Sequence, residues 1–131
     1  EKDLIGGALD VDDLPDAWNV KMREYLGVVP RTDAEGCLQD IHWAAGSFGY
    51  FPDYTVGAVA AAQFFAAARK AVPDMDARLG AGDFSALKSW LDENVHAFGS
   101  KLSFDELTRR ATGTELSARA FKDALRERYG V

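Results

Sequence analysis

The chain has 131 residues, 47% of them hydrophobic, enough for one helical or mixed domain with a real core. Fifteen basic against 21 acidic side chains leave a net charge of −6, which argues against a phosphate-backbone partner and so against nucleic acid. The longest apolar stretch, Val56 to Ala68, is interrupted by Gln63 and ends at Arg69-Lys70, short of the roughly 20 residues a bilayer requires, so no membrane span is expected.

In chain order, the punctuation reads as helices. Pro15 follows Asp12 and Asp13 where a first turn tolerates proline, Trp18, Met22, Tyr25 and Leu26 recur at helical spacing, and Gly27 supplies a left-handed stop. A second, short helix is predicted over Ala34 to Trp43 with Asp33 as its cap, and Gly46, Gly49 and Pro52 then mark a loop. Asp53 is expected to cap a helix from Tyr54 to Val72, closed by Pro73, and Asp83 to open another that runs to Phe98. Ser103 with Glu106 makes a capping box flanked by Leu102 and Leu107, that helix stops at Gly113, and Ser117 starts the last one, ending near Tyr129. No segment alternates with period two. The expectation is an all-α fold of about five to six helices, with residues 1–131 forming a single helical domain.

Two features stand out. The helix from Tyr54 to Ala68 carries no continuous polar face, as a helix buried on all sides would. The remaining helices are few and short for covering it, so part of its surface is expected to be covered by another domain or a second copy. The other feature is a polar and aromatic cluster, Gly36-Cys37-Leu38-Gln39-Asp40-Ile41-His42-Trp43 followed by Gly46-Ser47-Phe48-Gly49-Tyr50-Phe51-Pro52-Asp53-Tyr54. On a helix, Gln39 and His42 would share a face with Asp40 turned aside. A histidine and two tyrosines suit hydrogen bonding to an oxyanion or a peptide.

Plainer readings stand beside these. A histidine next to a tryptophan is commonly a half-buried structural residue, Tyr50 and Tyr54 among phenylalanines are commonly packing aromatics, and Cys37 is most simply a small buried hydrophobe. Cys37, Asp40 and His42 do not point to a common centre, His96 lies on a different helix at an ordinary amphipathic position, and there is no His-Glu-x-x-His or paired-cysteine motif, so no metal ligands are assigned within this chain. Gly-x-Ser-x-Gly and phosphate-loop motifs are also missing. A lone cysteine and no signal-peptide pattern at Glu1-Lys2-Asp3-Leu4 lead to the expectation of a cytoplasmic protein, trimmed or processed at its start.

The cluster Gly36-x-x-Gln39-Asp40-x-His42-Trp43 resembles the Gly-x-x-Gln-Asp-x-His-Trp signature of the carboxypeptidase Taq family of zinc metallopeptidases. Leu14-Pro15-Asp16-Ala17-Trp18-Asn19, Gly46 to Tyr54, Ala61-Ala62-Gln63 and Ala111-Thr112-Gly113 are similar to that family's C-terminal third, so the resemblance covers nearly the whole chain. It implies a fragment of a larger, two-lobed, mostly helical and often homodimeric enzyme that releases single residues from peptide C-termini. In such enzymes a His-Glu motif and a downstream Glu hold zinc, and the motif Glu is general base on zinc-bound water. This chain lacks that motif, so it is expected to be inactive alone and to need the missing N-terminal catalytic part. Carried over by position, His42 and Tyr54 would donate to the substrate carbonyl or oxyanion, with Tyr50 in support. Gln39 and Asp40 would contribute to substrate binding by positioning His42 or the loop. Cys37 stands where an aliphatic residue is expected and Asp53 where a hydroxyl is usual. The alternative is a non-enzymatic helical interaction or oligomerisation domain that shares this block.

Overall fold

In the computed structural model, which describes residues 1–130, every regular element is helical, and there is no strand among the described residues. Contacts gather into two compact units, one over Glu1–Pro52 and the other from Asp53 onward.

The first unit contains α1 (Lys2–Ile5) and α2 (Leu14–Leu26), followed by two 3-10 turns, Asp33–Glu35 and Cys37–Gln39. Pro15 occupies the first turn of α2, and Gly27 closes the helix at φ 71° with its N–H on the Arg23 carbonyl, as its position after the apolar run predicts. The helix expected over Ala34 to Trp43 does not form. Thr32, not Asp33, caps the first 3-10 turn, its hydroxyl accepting from the Glu35 N–H. Gly36 then leaves helical dihedrals at φ −115°, ψ −119°, and packs so tightly that a Cβ there would stand 3.2 Å from the Pro30 ring. Asp40 is extended, and its carboxylate takes the His42 backbone N–H, which a helix would have used. A short polar side chain competing for backbone donors is the ordinary way such a segment is diverted from a helix.

α3 (Phe51–Ala71) starts at Phe51 rather than Tyr54 and has nearly all its length in the second unit, with α4 (Met75–Gly80), α5 (Ser85–Asn94), a 3-10 turn at His96–Phe98, α6 (Phe104–Thr112) and α7 (Ala118–Tyr129). α1 and α4 are additions to the sequence reading, and the helix expected to run to Phe98 breaks at Val95. The core of this unit is Ala68, Met75 and Trp90, ringed by Phe64, Leu79, Leu87 and Leu91. Asp53, expected to cap α3, lies inside its first turn, and the residue at the N-cap of α5 is Phe84, one after Asp83, whereas the caps of α6 and α7 fall where the residue types place them. Asp83 accepts from the Ser85 N–H at 2.9 Å, Ser103 and Glu106 exchange both bonds of a capping box, Gly113 closes α6 at φ 77°, and Ser117 caps α7.

The polar interruption of α3 has a structural use. Gln63 is 6% exposed, and its amide nitrogen donates to Thr112 Oγ1, Thr114 Oγ1 and the Glu115 carbonyl, while its oxygen accepts from the Ser117 N–H at 2.9 Å. One side chain thereby ties α3 to the connection between α6 and α7. Elsewhere α3 is far from fully buried. Val59, Ala60, Gln63 and Ala68 are inside, whereas the first two turns are exposed, including Tyr54 and Val56. In the first unit, α2 likewise leaves Tyr25 and Leu26 about two-thirds exposed, at 69% and 66%. No helix among the described residues is long and apolar enough to cross a membrane.

Replacing Gln63 with Leu keeps the volume but strips a buried network of its donor and acceptor. The expected cost is about 1–3 kcal/mol, read as a lowered midpoint in urea denaturation. An unchanged midpoint would show that the network is not holding α3 to the α6–α7 connection.

Candidate functional site

The polar and aromatic cluster folds as a tight loop in the first unit. After Asp40 the backbone turns back on itself: the Ala45 N–H donates to the Ile41 carbonyl, Gly46 to Trp43, and Ser47 to His42 at 2.7 Å. Gly46 and Gly49 both sit at positive φ, 77° and 70°, where a side chain would be strained, so the two glycines permit the path that carries Phe48 and Tyr50 back past His42. The Gly49 N–H is taken by the Glu1 carboxylate.

His42 is held from several directions. Oδ1 of Asp40 lies 2.8 Å from the His42 backbone nitrogen and 2.8 Å from its Nδ1. The Tyr50 ring stacks on the imidazole, centroids 5.4 Å apart with 24° between planes, and Phe51 meets it edge-on at 4.6 Å and 70°. Trp43 and Phe48 make a second aromatic pair at 4.9 Å. The backbone N–H of His42, aided by its ring, holds the Asp40 carboxyl below the usual aspartate range against the opposing effect of burial.

Four of the residues singled out in the sequence lie in this loop. Asp40, His42 and Tyr50 come together. Gln39 does not pair with His42; its side-chain amide donates to the Ala34 carbonyl and braces the preceding turn. The helical spacing that put Gln39 beside His42 and turned Asp40 aside is thus reversed, because the segment is not an α-helix. Tyr54 lies in the first turn of α3, in the second unit, and is 59% exposed. Two participants escaped the sequence reading. Phe51 packs on the imidazole edge although it had no sequence signal beyond being one of several aromatics, and Trp18 of α2 joins Cys37, Asp40, Trp43 and Phe51 around a cavity of about 220 Å³.

Other sites carry less chemistry. A groove of about 510 Å³ between α3 and α7 is larger, but its polar groups are already paired, Gln63 as described and Arg69 with Asp76 and Glu127. His96 is exposed, with Nδ1 3.0 Å from Asp92. Among the described residues, no three His, Cys, Asp or Glu side chains converge so that they could hold a metal ion. The residues present do not fit a metal centre.

The Asp40 contact has a predictable pH signature. Its folded-state carboxyl gives up its proton more readily than an unfolded one, so the unfolded chain binds more protons in acid. The contribution is fully present above the ordinary aspartate value, about 3.9, and is lost as pH falls through the lowered folded value. The stability difference between the wild type and Asp40→Asn, measured by urea denaturation, should therefore shrink below about pH 4. A difference that stays constant down to pH 2 would contradict this.

Comparison with known proteins finds matches along nearly the whole chain. The profile of the carboxypeptidase Taq (M32) metallopeptidases matches residues 1–129. Carboxypeptidase 1 of Bacillus subtilis is 44% identical over 129 residues, covering 98% of this chain and 26% of that protein. The solved M32 carboxypeptidase of Deinococcus radiodurans superposes with a TM-score of 0.94 at 42% identity, covering 98% of this chain and 26% of its own. Metallocarboxypeptidase 1 of Trypanosoma cruzi gives 0.94 at 38% identity, covering 99% and 28%. The chain spans about a quarter of the length of these relatives. With the signature loop, the helical fold and these matches in agreement, the chain belongs to the carboxypeptidase Taq (M32) metallopeptidase family.

Proposed function

We propose that residues 1–131 are a single helical domain, the C-terminal, cleft-forming part of a zinc-dependent metallocarboxypeptidase that removes single residues from peptide C-termini. The observation that carries this reading is the His42 imidazole, held at Nδ1 by Asp40 and stacked on Tyr50 within the signature loop.

In this reading His42 and Tyr54 donate hydrogen bonds to the scissile carbonyl oxygen as negative charge develops there. Tyr50 keeps the imidazole plane in place by stacking, and Asp40 sets its rotation. Gln39 acts one step back, bracing the turn through Ala34. The positions of such donors matter most when they are fixed in advance, because no reorganisation is then needed at the moment of reaction. The metal would be held by the missing N-terminal catalytic part, so in this reading the segment alone is inactive. Polypeptide outside this segment, or a second copy in a homo-oligomer, covers the exposed apolar faces of α2 and α3. The site works in the cytoplasm. A non-enzymatic interaction or oligomerisation domain is the competing reading, and the specific feature in its favour is the apolar hollow of about 290 Å³ on α2 between Trp18, Met22, Tyr25 and Leu26.

Tyr54→Phe separates the two. The ring stays, so α3 should keep its packing, while the hydroxyl is lost. A donor that acts only as charge develops should cost about 10²–10³ in turnover, or about 2.7–4 kcal/mol, with little change in KM. Steady-state kinetics of the metal-loaded, family-length enzyme on a short peptide give the answer. Turnover within a few-fold of wild type would remove Tyr54 from the mechanism and leave Tyr50 as the next candidate.

A further inference from the structure

The tip of the signature loop is tied to a residue 48 positions earlier in the chain. Gly49 sits at φ 70° with open space where a Cβ would stand, so the glycine is required for its dihedral and not for room. Its N–H donates to the Glu1 carboxylate. Glu1 is fixed in turn, because its own carbonyl takes the Ile5 N–H at 2.9 Å, and its side chain does not cap α1. Glu1 and Leu4 also line the cavity of about 220 Å³ together with Asp40, Trp43 and Phe51, so α1 lies against the loop that carries His42.

Tyr50 follows Gly49 directly, and its ring stacks on the His42 imidazole at 5.4 Å and 24°. A shift of the tip would carry that ring with it. We propose that Glu1 is a positioning residue, which holds the Gly49 N–H so that Tyr50 stays stacked on His42. The inference rests on the reading above, in which His42 donates to the substrate carbonyl and Tyr50 keeps its plane in place, and it adds the group that holds Tyr50. Glu1 and Gly49 are both exposed, so their bond replaces bonds to water and adds little to stability. Its effect is on geometry, where a misplacement of about 1 Å can lower a rate about 10²-fold. Reach matters here more than charge. A carboxylate one methylene shorter draws its oxygens back from Gly49, whereas a neutral amide of the same length still presents an acceptor oxygen.

The test is a series at Glu1 in the metal-loaded, family-length enzyme, read by steady-state kinetics on a short peptide and by melting temperature. Glu1→Ala and Glu1→Asp should each lower kcat about tenfold or more, with KM and melting temperature changing little. Glu1→Gln should recover most of the turnover, since its amide oxygen can still accept from Gly49. In a Tyr50→Leu background, Glu1→Ala should cost nothing further, because the ring it positions is already gone. The inference is overturned if Glu1→Ala or Glu1→Asp turns over within about twofold of wild type, or if Glu1→Gln is as impaired as Glu1→Ala. It is equally overturned if Glu1→Ala reduces turnover by the same factor with and without the Tyr50 ring. The comparison of Asp with Gln decides by itself if Glu1→Ala does not fold. Wild-type turnover in His42→Gln would instead sink the functional reading as a whole. Impaired turnover in that variant, with Glu1→Ala unaffected, sinks only the role of Glu1.

Discussion

A single oxygen of Asp40 accepts two hydrogen bonds from one residue, the backbone and the ring of His42, and much of the first unit follows from that contact. Taking the backbone N–H diverts residues 40–46 from a helix into a turn, so Trp43 and Phe48 pair and the chain doubles back through Gly46 and Gly49. Taking Nδ1 fixes the rotation of the imidazole, which is what allows Tyr50 to stack and Phe51 to meet its edge. Local backbone geometry and the orientation of the imidazole are therefore both tied to one carboxylate, while Glu1 holds the far side of the loop through the Gly49 N–H. This economy has a cost. Two hydrogen bonds depend on one side chain, and its loss would be felt in both.

The second constraint is surface. Val59, Ala60, Ala68, Met75 and Trp90 are the only buried hydrophobic residues among those described, whereas Tyr25, Leu26, Leu38, Ile41, Phe48 and Tyr54 are exposed. Exposed apolar side chains in both units are what a segment that packs against other parts of a larger protein would carry. The quarter-length coverage of the relatives accords with it. Gln63 shows how the second unit holds itself together nonetheless: a polar group placed on an apolar helix finds all its partners in one loop.

What could be read in advance depended on the range of the interaction. The stops at Gly27 and Gly113, the Ser103–Glu106 box and the Ser117 cap involve bonds over two to four residues between recognisable residue types, and each falls where expected. The failure over Ala34 to Trp43 has the same local origin. The apolar spacing suits a helix, but Gly36 and Asp40 offer the backbone better alternatives, and Asp40 rather than Gln39 becomes the partner of His42. α4 went unseen because six residues after a proline give too little periodicity to register. The sequence gathered Asp40, His42 and Tyr50 into one cluster but turned Asp40 away from His42, and the edge contact of Phe51 and the approach of Trp18 come from folding α2 and the loop together, which spacing along the chain does not encode.

The central claim is that Asp40 acts through His42 rather than beside it. A double-mutant cycle on kcat, combining Asp40→Asn with His42→Gln in the metal-loaded, family-length enzyme at pH 6–7, addresses it most directly. If Asp40 works by holding the imidazole, the double variant should turn over no more slowly than His42→Gln alone. Losses that multiply, each variant reducing turnover by its own factor in the presence of the other, would contradict the account and make Asp40 an independent contributor.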